Sequence, residues 1–333
     1  MRRKKLFIAI FSVIVIMAIA VILSRDNKDE LTRIKVAEAT HSVFYAPQYV
    51  ALAEGFFAEE GLEVEIMITP GTDKVMGSVL SGNVQIGLSG SEATINRYLK
   101  NQSNYLVTFA GLTKKDGSFL ISREKIENFT LDDLKGKKII GGRKGGMPEM
   151  TLKWALRQQG IDPENDLEID TSIGFAAMSQ AFIEGNGDFV TLFEPEASNF
   201  AKEGHGYVVA SVGMLSGEVP YTAFNAKKVY IENNPMVIRA FVRAIYKGLE
   251  FVRENDSTVI ARSIQDQFPD TLLEDLAEII ERYKAQDVWV ETPVLSKESF
   301  DLLQTIMQAA GELDEFVEFE QLVDNMITED AIK

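Results

Sequence analysis

Short apolar runs that are typical of strands alternate with segments of helical spacing from residue 34 onward. This alternation predicts an α/β fold in which mainly parallel strands are covered by helices on both faces. The first set of predicted strands comprises residues 34–39, 62–68, 84–88 and 105–112, and the helices between them comprise residues 46–60, 73–80 and 92–99.

A second set of alternating elements begins near residue 118, and a helical region follows it. The predicted strands of this set are residues 119–122, 138–141, 167–171, 189–193 and 207–212, and its helices are residues 147–159, 175–184 and 196–203. The later helices are residues 235–254, 257–267, 271–285 and 297–310. Because a helical tail supplies no third sheet, we expect it to pack on the lobes that the two sets form.

The predicted organisation is an N-terminal segment followed by two lobes. Residues 1–30 are predicted to be a signal anchor and short linker, residues 31–115 and 222–333 a first lobe with the C-terminal helices, and residues 116–221 a second lobe. Two such lobes enclose a cleft, and open α/β sheets bind ligands beyond the carboxyl ends of their strands.

The N-terminal segment predicts the compartment. Four basic residues at 2–5 precede an apolar run at 6–23, which is close to the roughly 20 residues that a membrane helix needs. Since positive flanks stay in the cytoplasm, residues 31–333 are expected at the outer face of the cytoplasmic membrane, anchored by this helix. A cleaved signal peptide is the alternative, although no small-residue cleavage site follows the apolar core.

The composition of the chain excludes several kinds of site and partner. The chain has no cysteine, which excludes disulfides, thiolate metal sites and a lipid-modified cysteine. Its formal net charge of −16 argues against nucleic acid as a partner. The two histidines, His41 and His205, are far apart and show no metal-ligand spacing, so no metal, cofactor or catalytic residue is predicted.

A glycine-rich turn between a predicted strand and helix is the first candidate for ligand binding. The backbone N–H groups of Gly145, Gly146 and Met147 can approach a ligand there, and Pro148 suits the first turn of the following helix. The alternative is an ordinary strand-to-helix connection. Arg143 is expected to lie too far back on the strand to contribute.

Glu194 follows an apolar strand and is expected at the same edge of the second sheet. A carboxylate facing the cleft would prefer an amine or an aminopyrimidine. An ion pair with a structural role is the alternative.

The first lobe offers a parallel set of candidates. Tyr45 follows the first strand and can stack on a flat ligand, with packing at a helix start as the alternative. Hydroxyl and backbone N–H groups converge where the third strand meets a helix, at Ser89, Gly90, Ser91 and Glu92, and N-capping is the alternative there. Four other residues are not assigned to the site: Thr72 and Asp73 are assigned to helix capping, and Phe175 and Phe224 to the core.

Several motifs resemble one family of proteins in their order along the chain. The segment Phe-Tyr-Ala-Pro-Gln-Tyr-Val-Ala at 44–51, followed by Gly-Phe-Phe-Ala-Glu-Glu-Gly-Leu at 55–62, resembles the opening of SsuA/THI5-like (NMT1-like) solute-binding proteins of ABC importers. The stretch at 82–87, the Gly-Met-Pro-Glu loop at 146–149, and the Leu-Phe-Glu-Pro segment at 192–195 are also similar to that family.

The resemblance implies a type II periplasmic-binding-protein fold whose lobes close on a small molecule. It implies an ABC permease and its ATPase as partners of a monomeric binding protein that is not an enzyme. A thiamine-precursor or aminopyrimidine-like ligand is favoured, and a sulfonate or related anion is next. The alternatives are a sensor that signals to a membrane partner, and a pyrimidine-synthase-like enzyme, whose cysteine-rich motif this sequence lacks although His41 lies in a suitable loop.

Overall fold

Two five-stranded sheets form the frame of the protein. The computed structural model describes residues 31–333. The first sheet has the order β2-β1-β3-β10-β4 and consists of β1 (Thr32–Glu38), β2 (Leu62–Ile68), β3 (Ile86–Gly90), β4 (Leu106–Thr113) and β10 (Thr222–Lys227). The second sheet has the order β7-β6-β8-β5-β9 and consists of β5 (Ser118–Ser122), β6 (Lys138–Ile140), β7 (Glu168–Asp170), β8 (Phe189–Phe193) and β9 (Tyr207–Ser211).

Each sheet contains one antiparallel strand that arrives from the other sheet. In the first sheet β1 is parallel to β3, whereas β10 runs antiparallel to both β3 and β4. In the second sheet β6 is parallel to β7 and β8, whereas β5 runs antiparallel to both β8 and β9. Since β5 and β10 follow direct crossovers and not helices of their own sheet, no βαβ connection sets their direction. The predicted α/β class is confirmed, with sheets that are mixed.

The helices follow the order that the sequence predicts. The first half contributes α1 (Ala46–Ala53), α2 (Phe56–Glu59), α3 (Thr72–Ser81) and α4 (Glu92–Lys100), and the second sheet is flanked by α5 (Met147–Gln158), α6 (Met178–Ile183), α7 (Glu196–Lys202) and α8 (Val212–Ser216). The helix predicted over 46–60 is divided, because Gly55 adopts a φ of +77° that an α-helix does not permit.

A helical region follows β10, and its longest member has 20 residues. It consists of α9 (Lys228–Asn233), α10 (Pro235–Glu254), α11 (Ser257–Ile264), α12 (Leu273–Ala285), α13 (Lys297–Ala309), α14 (Phe319–Leu322) and α15 (Asn325–Ala331). The helix α10 packs against α1, α2 and α15. Gly248 makes this contact close, because a Cβ at this position would overlap the carbonyl oxygen of Pro47.

The ring of Phe44 lies at the centre of the main hydrophobic core. Its centroid is 5.7 Å from those of Phe193 and Tyr221, and 5.5 Å from that of Tyr283. A Cβ at Gly117, in the crossover between the sheets, would overlap the same ring. The core therefore continues from one sheet to the other through this aromatic cluster, and residues Arg33–Lys333 form one compact unit.

Two predictions from the sequence are not tested by the structure. The lobe bounds of residues 31–115 with 222–333 and of 116–221 stay a prediction. The predicted membrane segment at 6–23 lies outside the described residues. Among residues 31–333, no helix combines the length and the apolar character that crossing a membrane requires.

The contact between α10 and α1 predicts opposite effects for two glycine-to-alanine substitutions. Gly248→Ala should lower the free energy of unfolding by about 1–3 kcal/mol, because the added methyl group overpacks against the backbone of Pro47. Gly77→Ala, in the interior of α3 with no atom within 4 Å of the added Cβ, should raise it by up to about 1 kcal/mol. Urea denaturation measures both, and a stabilised Gly248→Ala variant would contradict the packing.

Candidate functional site

A cavity of about 430 Å³ lies between the edges of the two sheets. Both halves of the chain line it, since its walls include segments that follow β1, β3 and β6 and the end of β8. The lining residues are Ala39, Thr40, Tyr45, Pro70, Gly71, Thr72, Asp73, Lys74, Gly90, Gly142, Arg143, Gly146, Met147, Pro148, Gly174, Phe175, Ala176, Ala177, Phe193, Tyr221 and Thr222. Of the residues predicted from sequence, Tyr45, Gly90, Gly146 and Met147 are therefore brought together here.

Aromatic side chains form a large part of the wall. Tyr45 ends the short 3-10 turn Val43–Tyr45 and is buried, so it both lines the cavity and packs in the core. Phe193 lies 5.9 Å from Phe175 and 6.5 Å from Tyr221 between ring centroids. Phe175 is only half-buried and faces the cavity, contrary to the expectation of a core role. Flat apolar surfaces of this kind suit a planar ligand.

The glycine-rich loop satisfies its own backbone donors. The N–H of Gly145 donates to Glu149 Oε2 at 3.2 Å, and the N–H of Gly146 donates to the carbonyl oxygen of Arg143 at 3.0 Å. The other carboxylate oxygen of Glu149 pairs with Lys153 at 2.6 Å. Gly145 adopts a φ of +67° and does not line the cavity, and Glu312 lies against it. Of the three amides predicted to hold a ligand, those of Gly145 and Gly146 are therefore already bound within the loop.

A cluster of charged side chains lies on one side of the cavity. Arg143 Nη2 is 3.4 Å from Glu92 Oε1, and Arg143 Nε is 3.6 Å from Asp73 Oδ2. Arg143 was expected to lie too far back on the strand, but the loop turns its side chain toward α3 and α4. Thr72 and Asp73 were assigned to capping, but Gly71 is the N-cap of α3, no side chain in the described chain caps that helix, and both residues line the cavity.

Glu92 is the buried member of this cluster. Its side chain is 1 % exposed, and its Oε2 atom is buried without a hydrogen-bond partner in residues 31–333. Burial raises the pKa of this carboxyl to about 7, although the charge of Arg143 opposes the change. Glu92 is not itself on the cavity wall, but a Cβ at the wall residue Gly90 would overlap Oε2.

The neighbouring serines do not act as caps. The hydroxyl of Ser89 accepts a hydrogen bond from Asn225 Nδ2 at 3.1 Å, which ties β3 to β10. Ser91 precedes α4, but its side chain makes no capping hydrogen bond and its Oγ atom is buried without a partner in the described chain. Both serines are buried behind Gly90 and neither lines the cavity.

Glu194 is engaged away from the cavity. Its carboxylate accepts hydrogen bonds from the backbone and hydroxyl of Ser198, each at 2.9 Å, and it pairs with Arg282 of α12. Burial raises its pKa, and the charge of Arg282 opposes this change. A structural ion pair was the alternative that the sequence left open for Glu194. Its pairing with Arg282 agrees with that alternative. Glu194 is not among the lining residues, so the site proposed below does not include it.

His41 has a structural environment. Its Nδ1 is 2.8 Å from Glu38 Oε1 and its Nε2 is 2.8 Å from the carbonyl oxygen of Gln267, so both ring nitrogens face acceptors. Burial lowers its pKa, but the bonds to Glu38 and Gln267 outweigh this and the pKa is raised overall. Glu38 also accepts from Gln48 and Tyr49. The ring therefore connects β1 to the turn that follows α11.

Comparison with known proteins places the chain in a defined group. A family model described as NMT1/THI5 like matches residues 43–258, more than half of the chain. YtlA of Bacillus subtilis (strain 168), a chain named as a binding protein without a stated ligand, is 45% identical over 303 residues, which cover 91% of each chain. The formylaminopyrimidine-binding protein of Halalkalibacterium halodurans is 23% identical over 286 residues, covering 76% of this chain and 84% of the relative.

A solved structure gives the same architecture. The periplasmic nitrate-binding protein NrtA from Synechocystis PCC 6803 superposes with a TM-score of 0.74 at 15% sequence identity, covering 91% of this chain and 88% of that one. The fold is therefore the two-lobed fold of periplasmic binding proteins. The relatives support a solute-binding role, and the ligands in their names differ from one another.

The buried carboxyl of Glu92 predicts a pH-dependent stability. Because its pKa rises from 4.5 to about 7 on folding, the folded state holds the proton more tightly, and stability falls as pH rises from about 4.5 to about 7. Glu92→Gln removes this loss, so at pH 8 the variant should be more stable than the wild type by up to about 3 kcal/mol. At pH 5 the difference should nearly vanish. Thermal unfolding at both pH values measures the difference in stability. Equal melting temperatures of the two proteins at both pH values would contradict a buried carboxyl with a raised pKa.

Proposed function

Since the chain belongs to the NMT1/THI5-like family, we propose that it is an extracytoplasmic binding protein for a small planar heterocycle of the aminopyrimidine type. The ligand binds in the cavity between the sheets and is delivered to an ABC importer. The observation that carries the proposal is the aromatic wall of Tyr45, Phe175, Phe193 and Tyr221 beside a charged cluster. One acceptor of this cluster, Glu92 Oε2, has no hydrogen-bond partner within residues 31–333.

The aromatic wall supports a planar ligand on energetic grounds. Aromatic contacts contribute about 0.5–1.5 kcal/mol beyond the burial of apolar area, and they favour rings that stack or meet edge to face. The cavity volume of about 430 Å³ falls within the range of small-molecule sites, which starts near 300 Å³. A single substituted ring fits this volume, and a macromolecular ligand does not.

The charge distribution argues against a small anion as the ligand. The loop amides of Gly145 and Gly146 are bound internally, and Arg143 is shared by Glu92 and Asp73. An anion would have to break these contacts and lie near uncompensated carboxylates, which costs several kcal/mol in a partly dry site. A sulfonate or related anion is therefore the second candidate, and it rests on the two cations of the wall, Arg143 and Lys74.

The relatives support the proposed ligand class, location and partners only in part. The formylaminopyrimidine-binding relative agrees with an aminopyrimidine-type ligand, whereas the nitrate-binding structure represents the anionic class. We infer an outer-face location, a monomeric state, an ABC permease with its ATPase as partners, and tethering by residues 1–30. We also infer a binding role without catalysis, because both ring nitrogens of His41 are engaged and the family's relatives are binding proteins.

Closure of the lobes is the proposed mechanism of capture. The two crossovers between the sheets run together, and the hydroxyls of Thr113 and Thr222 are bonded at 2.6 Å. A pivot at these crossovers lets residues 142–148 approach 71–74 around the ligand. The ligand favours the closed state only through contacts that are better in that state.

A ligand screen tests the function directly. Aminopyrimidines at 100 times their Kd should add about 2.7 kcal/mol of stability, whereas nitrate and alkanesulfonates should add little. Thermal shift measures stability, and small-angle scattering on the same samples should show a smaller radius of gyration with the ligand. Stabilisation by the anions alone would assign the cleft to the second candidate.

The aromatic wall predicts the effect of one truncation. Phe175→Ala should weaken binding of an aminopyrimidine about tenfold, since it removes an aromatic contact of roughly 1–1.5 kcal/mol. Phe316→Ala provides the matched control, because Phe316 is 48 % exposed and lies outside the cavity. Calorimetric titration distinguishes the variants, and equal affinities would remove Phe175 from the site.

A further inference from the structure

We propose that Glu92 selects the ligand of this cleft, with its carboxylate oxygen Oε2 accepting a hydrogen bond from an amino or amidine N–H of the heterocycle. The inference rests on the proposed function and adds its chemical basis for specificity. Glu92 takes the role that the sequence first suggested for Glu194, whose oxygens are already bound to Ser198 and Arg282.

The backbone places the carboxyl directly behind the wall of the cavity. The strand β3 ends at Gly90 and α4 begins at Glu92, so the side chain folds back over the glycine. A Cβ at position 90 would overlap Oε2, and Gly90 itself lines the cavity. Only the missing side chain of this glycine leaves room for the carboxyl. Any larger residue there would separate Glu92 from the ligand.

Two consecutive residues at this point carry hydrogen-bonding capacity that the described chain does not use. Within residues 31–333, both Glu92 Oε2 and the adjacent Ser91 Oγ are buried without partners. A buried carboxylate oxygen that lacks a donor costs free energy, and a ligand that supplies the donor recovers it. The site therefore discriminates in favour of ligands with N–H groups and against isosteres that lack them.

The residues that cover the carboxyl of Glu92 belong to the second sheet's side of the cleft. Met147 Cγ lies 2.9 Å from the same Cβ position at Gly90, and Arg143 approaches Oε1 from the loop after β6. In the proposed opening of the cleft, both would move away with the second sheet and expose Glu92 to an incoming ligand. The flexible thioether of Met147 can then repack against the bound ring.

The charged and titratable groups around Glu92 set its pH response. Arg143 faces it directly, Asp73 faces the same guanidinium, and the rings of Tyr45 and Tyr221 lie close enough for the charge of Glu92 to raise the pKa of both hydroxyls further, beyond the larger effect of burial. Burial raises the pKa of Glu92 to about 7. Since Oε2 accepts most strongly when ionised, ligand affinity should rise with pH through this value.

The test uses two probes and two variants. The probes are an aminopyrimidine and the methylpyrimidine that carries a methyl group in place of the amino group. Glu92→Gln should weaken the aminopyrimidine about tenfold or more, as expected for loss of a charge-assisted hydrogen bond, and should change methylpyrimidine binding less than about twofold. Glu194→Gln is the control, since it changes an equally buried carboxyl outside the cavity, and both affinities should stay within about twofold.

The pH profile gives a readout that a structural role would not change. Between pH 6 and 8 the wild-type affinity for the aminopyrimidine should rise up to about tenfold, because the ionised fraction of Glu92 rises by that factor. The Glu92→Gln profile should contain only the titration of the probe itself. Circular dichroism at each pH confirms that both variants are folded.

The outcomes separate this inference from the proposed function. If the wild type binds neither probe, the proposed function fails. If it binds both probes equally and Glu92→Gln changes neither affinity nor pH profile, the selection by Glu92 is wrong while the planar-ligand function stands. A loss confined to Glu194→Gln would assign the selecting carboxyl to that residue and overturn the inference.

Discussion

The packing around Phe44 is the contact on which the rest of the structure depends. Its ring touches the end of β8, the return crossover and α12, and its carbonyl oxygen accepts a hydrogen bond from Trp289 Nε1 at 2.8 Å. The hydroxyl of Tyr283 donates to the carbonyl oxygen of Gly117 at 2.8 Å and so fixes the outgoing crossover beside the same ring. Because the next residue is Tyr45, the core and the cavity wall share one turn of backbone. A change in the core therefore shifts the site directly.

The cavity combines apolar surface with a cluster of charged side chains that pair with one another. Arg143 balances Glu92 and Asp73, and Glu149 occupies the amide of the glycine-rich loop. Within residues 31–333, the buried polar atoms near the cavity that lack a hydrogen-bond partner are one carboxylate oxygen and one hydroxyl at the start of α4 and the hydroxyl of the wall residue Tyr221. A site of this kind gains affinity from ring burial and specificity from a single hydrogen bond, which is the usual division in small-molecule pockets.

The sequence predicted the elements well because their signals are local. Apolar periodicity located most strands and helices to within a few residues, and the motif order indicated the family that the comparisons confirm. The direction of β5 and β10 was less accessible, since it depends on which sheet a strand joins after a crossover. Gly55 could have been read as a helix end from its type alone.

The sequence could predict residues of the candidate site only where their position at the end of a strand brings them to the cavity. Tyr45, Gly90 and Met147 lie near strand ends and line the cavity, and their contact with a ligand stays a prediction. Glu194 was misplaced because its partner Arg282 lies 88 positions away in the chain, and no local pattern announces such a pair. Arg143 and Asp73 were missed for the same reason, since they meet across the cleft from different sheets. Phe175 was assigned to the core, although its loop carries it to the wall.

The bond between Glu149 and Gly145 keeps a charge balance behind the wall of the cavity. Neither residue lines the cavity, but Glu149 Oε2 accepts from the N–H of Gly145 and its other oxygen pairs with Lys153. Replacement of Glu149 by a neutral residue would release this amide and leave the ammonium group of Lys153 without its 2.6 Å partner, on the helix that begins at the wall residue Met147. The electrostatic field at the cleft therefore depends on a side chain that never meets the ligand.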